Sequence, residues 1–202
     1  MTLAELRADF RATLVRGDVT QTQVTNWING AIQRAQRSLN IPAAEKVVEI
    51  TVANGFDFLS IPGDYMALIG LSVNDRALVN YDPTRTRLLA QQEGDTRYYV
   101  RDGADFVLGP RPRTGDVIRL IYRAAAPSLV SENDANWLSD LAPDIIKYGA
   151  LYEAFLHFGD IRKADFENEF VKRINDLNAQ ARDDELKNAA VAPAFNMNFC
   201  DY

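Results

Sequence analysis

The sequence predicts an α+β fold: a helical bundle formed by N- and C-terminal helices, an inserted antiparallel β domain, and an extended C-terminal tail. Three observations lead there. Apolar residues recur at three- and four-residue spacing over residues 3–39 and again over 145–181. Between these stretches the apolar period falls to two. The closing residues alternate apolar side chains with asparagines, as a docking strand would, and Pro193 blocks a regular helix there. The expected divisions are 1–45 for the first helices, 46–124 for the β insertion, 125–187 for the returning helices and 188–202 for the tail. Neither helical part can bury its stripe alone, so the simplest solution packs the two together.

The elements follow in order. Thr2 and Glu5 have capping-box spacing ahead of Leu3, Leu6, Phe10 and Leu14. Gly17-Asp18 interrupts, and Thr20 with Gln23 repeats the box before Val24, Trp27, Ile28, Ala31, Ile32, Ala35 and Leu39. Gly30 weakens that helix and is expected to mark close packing against a neighbour. Pro42 ends it, because the residue before a proline avoids the helical region. Val48, Ile50 and Val52 alternate with polar residues. Asn54-Gly55 then predicts a hairpin to the segment of Phe56, Phe58 and Leu59. Further strands are expected at Leu68–Val73, Ala77–Tyr81, Tyr98–Val100, Phe106–Leu108 and around Ile118, Leu120 and Tyr122, all in one largely antiparallel sheet. Asp82-Pro83 should cap a short helix ending near Gly94. Asn136-Trp137-Leu138 belongs to a short helical turn. Pro143 opens a helix carrying Ile145, Ile146, Tyr148, Leu151, Tyr152 and Phe155. Gly159-Asp160 breaks it, and Phe166, Phe170, Ile174, Leu177 and Ala181 stripe a last helix. Trp27, Ile32, Tyr148, Tyr152 and Phe155 are the expected bundle core.

Composition narrows the function. The chain has 202 residues, 47% of them hydrophobic and 25% charged, which implies a buried core. The net charge is −6, and no long basic run offers itself to phosphates, so sequence-specific DNA binding is not expected. One cysteine, Cys200, excludes an internal disulfide, and with one histidine, His157, it argues against a Cys/His zinc site. No apolar run approaches the ~18 residues of a membrane span, and no leader-like h-region opens the chain, so a soluble protein is expected.

Chemistry-bearing motifs are sparse. The sequence lacks G-x-x-x-x-G-K-[ST], G-x-G-x-x-G and G-x-S-x-G. His157, between Leu156 and Phe158, reads as a packed or interfacial side chain. Glu132, Asp134 and Asp140 form an acidic loop that would suit a metal-dependent hydrolase, but Asn133 and Asn136 point to turns and caps. No cofactor is expected. Arg111 and Arg113 sit in a proline-bounded loop, either approaching DNA or an acidic partner or serving as a solvated tip. The tail carries Phe195, Met197, Phe199 and Tyr202 with a single charge, Asp201. It reads either as a strand docking on another subunit or as a segment folded on its own bundle.

The order of motifs resembles the head-to-tail adaptor, or connector ring, proteins of tailed bacteriophages, of the tail tubular and gatekeeper type. It rests on Trp27-Ile28-Asn29-Gly30-Ala31, on Ile61-Pro62-Gly63-Asp64-Tyr65, on Asn136-Trp137-Leu138, and on the run from Pro143 to Ala154 that contains Tyr148-Gly149-Ala150-Leu151. The likeness spans residues 20 to 182. Gly30 and the direct Asn136-Trp137 junction depart from the usual pattern. The resemblance implies a structural virion protein of the neck, assembled in the host cytoplasm as a ring, commonly of twelve copies, below the portal protein. Such a ring joins the capsid to tail or nozzle proteins and leaves an axial channel for double-stranded DNA. An acidic subunit suits that channel, since it repels phosphates and lets the duplex slide. A tail-completion or stopper protein on the same axis is the alternative.

Overall fold

The computed structural model describes residues 1–54, 56 and 58–188, with backbone alone for 186–188. The expectations for Phe195, Met197, Phe199 and Tyr202 fall outside these residues. The fold is mixed α+β, as expected, with helices at both ends of the chain and strands in the middle.

Helix α1 spans Leu3–Leu14 and α2 spans Gln21–Ser38. Both expected capping boxes form, Thr2 with Glu5 and Thr20 with Gln23, and satisfy the first free N–H groups of each helix. The returning helices are α4 (Trp137–Leu141), α5 (Pro143–His157) and α6 (Lys163–Asn188), with α3 reserved for a short helix among the strands, Pro83–Leu89. One apolar core joins them. It takes Leu3, Leu6, Phe10 and Leu14 from α1, Val24 to Ala35 from α2 with Leu39 at its C-cap, Ile145 to Phe155 from α5, and Phe170 and Ile174 from α6. Among the described residues no helix is long and apolar enough to cross a membrane.

The strands are β1 (Glu45–Thr51), β2 (Leu59–Ser60), β3 (Tyr65–Val73), β4 (Arg76–Ala77), β5 (Val79–Asn80), β6 (Tyr98–Asp102), β7 (Asp105–Gly109) and β8 (Val117–Ala124). They make two four-stranded sheets rather than one, ordered β1-β8-β3-β4 and β2-β7-β6-β5. All pairings are antiparallel except β5 with β6. Ile118, Leu120 and Tyr122 of β8 meet Phe106 and Leu108 of β7 in a second apolar core shared by both sheets.

Several expectations need correction. The hairpin anticipated at Asn54-Gly55 does not pair its flanking strands. β1 lies along β8 from Glu45↔Arg123 to Thr51↔Val117, while β2 pairs with β7 in the other sheet. A full-length ladder against a core strand outweighs a local turn preference; Gly55 itself lies outside the described residues. The strand expected at Ala77–Tyr81 is split. Leu78, 8% exposed, turns into the core and donates its N–H to Leu71, so the chain passes from one sheet to the other there. Helix α3 ends at Leu89, before Gly94. Gly30 meets no atom that a Cβ would touch and is exposed, so it marks no close packing.

Candidate functional site

The residues carrying the family-like pattern sit where elements join. The Asn29 side chain mimics a strand partner for the loop after β8: its Nδ2 donates to the Leu129 carbonyl at 2.9 Å and its Oδ1 accepts the Leu129 N–H at 2.9 Å. Asn136, 5% exposed, caps α4 in a reciprocal pair with fully buried Ser139, and its Nδ2 donates to the Pro127 carbonyl at 2.8 Å. Gln36, also buried, accepts the Ala126 N–H at 2.8 Å. These three amides satisfy a backbone that crosses the bundle without secondary structure of its own.

Asp64 plays the same part in the β region. It accepts from the Lys46 ammonium and from the Tyr122 hydroxyl, the latter at 2.9 Å, and its backbone carbonyl takes the Ala125 N–H. The Lys46 ammonium, helped by the Tyr122 hydroxyl, holds the Asp64 carboxyl below its ordinary range despite partial burial. Burial and then the Asp64 carboxylate push Tyr122 up to about 12. Gly149 lets α2 and α5 approach. A Cβ there would lie 2.8 Å from Ala31 Cβ and 2.8 Å from the Phe170 ring.

The expected bundle-core residues do not share one environment. Ile32 is fully buried and Phe155 is 2% exposed, stacked on Phe166 at 4.8 Å. Trp27 and Tyr148 are half-buried against the core. Tyr152 lies outside the apolar cluster, at its rim, because Arg34 covers its ring at 4.5 Å. Sequence reasoning missed that arginine. Arg34 ion-pairs with Glu167 at 2.7 Å and also lies over Phe170, clamping α2, α5 and α6 together. Arg173 does the like between α5 and α6, ion-paired with Asp144 and over the Tyr148 ring at 4.4 Å. An arginine spaced from aromatic residues on other helices leaves no local signal in sequence.

Among the described residues, no catalytic constellation is assembled. His157 is exposed, its ring against Trp27 at 5.7 Å and Phe158 at 5.1 Å. The acidic loop is dispersed over structural roles. Asp134 accepts the N–H groups of Val130 and Ser131, which hold its carboxyl below the ordinary range. Glu132 reaches Arg7 at 3.7 Å, and Asp140 the Met1 amine at 2.7 Å. Among the described residues, no three His, Cys, Asp or Glu side chains are placed to hold a metal ion.

Arg111 and Arg113 part company. Arg111 is half-buried, bridges to Glu93 through its guanidinium at 3.5 Å, and exchanges backbone hydrogen bonds with Gln92 and Gly94. Arg113 is exposed and turns its N–H to Asp116 at 2.8 Å. Acids therefore lie closer to this loop than its sequence shows.

Two exposed surfaces combine apolar and charged groups. At one corner of the bundle, Arg16 covers the Phe158 ring at 3.9 Å, between exposed Val15 and exposed Ile161. Toward the other end of α6, Ile41, Pro42, Ala43, Leu141, Leu177 and Ala181 line a groove of about 530 Å³ bordered by Asp184 and Glu185.

Compared with protein-family models, the chain matches the SU10 adaptor protein family over residues 1–194. A comparison with curated proteins found no match.

Proposed function

Because the chain belongs to the SU10 adaptor protein family, we propose that it works as a head-to-tail adaptor of the phage neck, a ring of copies attached below the portal. In this reading the ring joins the capsid to the tail proteins and leaves an axial passage for DNA. The role is structural, and assembly takes place in the host cytoplasm before the ring becomes part of the virion.

The observation that carries the reading is the family match over nearly the whole chain. The physical chemistry supports it. The motif residues are spent on junctions between elements, and the carboxylates of the acidic loop, Glu132, Asp134 and Asp140, serve turns and ion pairs. A net charge of −6 per copy, multiplied around a ring, gives a wall that repels phosphates and does not grip them.

The test is electron microscopy and native mass spectrometry of the purified chain with and without its portal. The expected result is a monomer or small oligomer alone and a ring on the portal. A chain that joins the particle only at the tail end would make it a tail-completion or stopper protein. A stable closed ring without portal would remove the templating step.

A further inference from the structure

We propose that the chain's own residues 194–200 complete the β region, lying along the free edge of β1 as a parallel strand with Phe195, Met197 and Phe199 on the core side. The edge is among the described residues and its occupant is not, so the occupant is identified by its sequence and by where α6 delivers it.

Four strands end the two sheets. Three of them, β2, β4 and β5, have two residues each, whereas β1 has seven. A very short edge strand is protected from stray pairing by its length, and a seven-residue one is not. Val52 continues the ladder of β1 with β8 by donating its N–H to the Asp116 carbonyl at 2.8 Å, so Ile50, Val48 and Lys46 turn their backbone groups toward β8. Val47, Glu49 and Thr51 turn theirs the other way, and among the described residues no donor or acceptor meets them. The side chains agree with the backbone. Val48 and Ile50 pair with Leu120 and Ile118 and share their face of the sheet. Leu120 is 1% exposed and Ile118 0%, yet Val48 and Ile50 are only half-buried. Among the described residues, the second core lacks one strand of cover at this edge.

Position, length and pattern select the occupant. Asp184 and Glu185, in the last turns of α6, line the same groove as Ile41, Pro42 and Ala43. The turn Pro42–Ala44 opens directly into Glu45 of β1. Helix α6, which ends at Asn188, thus delivers the chain beside the start of β1. A segment that leaves there and follows the edge runs parallel to β1, as β5 already runs beside β6. The seven residues of β1 span about 23 Å at 3.3 Å per residue. Residues 194–200 match that length, and 189–193 remain as the connection, with Pro193 just before the strand, where it costs no ladder bond. From 194 to 200 the sequence carries no charge and alternates Phe195, Met197 and Phe199 with Asn196 and Asn198. With the three large side chains inward, they cover Val48 and Ile50, and the asparagines fall on the solvated face beside Val47 and Glu49. A tethered segment meets such an edge at an effective concentration of roughly millimolar, which a strand from a separate molecule does not match in dilute solution.

Two measurements on the full chain test this. Amide hydrogen exchange at Val47, Glu49 and Thr51 is compared between the parent and Met197→Pro, whose ring interrupts a strand at its centre. The three amides should exchange roughly tenfold faster or more in the variant, at every protein concentration, while the amides that β8 shares with β3 stay unchanged. Equal exchange in the two chains overturns the proposal, as it would for a tail seated in the groove beside Leu177. Protection that arises only when the protein is concentrated or bound to a portal assigns the tail to another molecule and also overturns it. The second measurement uses Cys200, the sole native thiol, which falls on the face of Asn196 and Asn198 near the far end of β1. On oxidation in dilute solution, Thr51→Cys or Glu49→Cys should close a disulfide within one chain, seen by intact mass and abolished by adding Met197→Pro. Glu45→Cys, at the near end, should not. A bridge from Glu45→Cys alone, a bridge only between two chains, or none from any of the three overturns the parallel strand.

Discussion

Glycine to alanine at two helical positions should move stability in opposite directions. Gly30 in α2 and Gly149 in α5 both lie in helix interiors, so propensity alone favours alanine at each by up to about 1 kcal/mol. Around Gly30 a Cβ meets nothing within 4 Å. Gly30→Ala should therefore gain most of that amount, a rise of roughly 2–4 °C in Tm for a chain of this length. At Gly149 the new Cβ would lie 2.8 Å from Ala31 Cβ and 2.8 Å from the Phe170 ring, well inside van der Waals contact. Ala31 Cβ is fixed to the α2 backbone and has no rotamer to escape into, so the helices must separate. Overpacking of this kind costs about 1–3 kcal/mol, and two rigid contacts place it near the upper end. After the propensity gain, a net loss of about 2 kcal/mol remains, or roughly 4–8 °C. Differential scanning calorimetry of both variants, with Ala31→Gly added to Gly149→Ala, decides the matter. The second change should recover part of the loss. If Gly149→Ala is as stable as the parent, α2 and α5 are not held at this distance and the packing argument fails.

Phe155→Ala, at a position 2% exposed, should lower stability by about 3–5 kcal/mol in denaturant titration, and a loss below about 1 kcal/mol would show that its ring is not core. Because Lys46 holds the Asp64 carboxyl below its ordinary 3.8, their contact stabilises the fold fully above that value and loses its effect as pH falls through the lower folded-state value. Asp64→Asn should therefore flatten the acid limb of the Tm–pH profile below about pH 4; an unchanged limb would remove Asp64 from the account. A chain ending at Lys187 should keep its melting temperature and bind the portal more weakly if Phe195, Met197, Phe199 and Tyr202 dock on another subunit. Unfolding on that truncation would place the tail in the chain's own core.

Helices were the most legible part of this sequence because their signals are local. The boxes of Thr2 with Glu5 and Thr20 with Gln23 mark their own helix starts, and both form. The period-two run at Ile118, Leu120 and Tyr122 likewise states which face is buried. Strand partners were not legible. The Asn54-Gly55 signal is local, whereas the pairing of β1 with β8 closes a loop of about seventy residues and is decided by which strands share the second apolar core. Gly30 and Gly149 show the same limit in miniature. Each glycine looks alike from its neighbours in sequence, and only the approach of Ala31 and Phe170 separates the one with a steric reason from the one without.

Exposed apolar surfaces are harder still to read, because an apolar residue that faces water looks in sequence like one that faces the core. Val15 falls between Leu14, which is buried, and Arg16, which is not, and nothing in that order reveals the left-handed backbone that holds it out. The groove is hidden in a different way. Leu177 and Ala181 continue the stripe of Phe170 and Ile174, so periodicity assigns all four to the core. The bundle buries Phe170 and Ile174, whereas α6 runs on past the first turn of α5 and, among the described residues, meets the turn at Ile41–Ala43 and Leu141. A helical stripe longer than the partner helices available to it leaves its remainder as a surface of core composition. Where a subunit is made to be surrounded by others, that surplus, more than any motif, is the place in the sequence to look for its contacts.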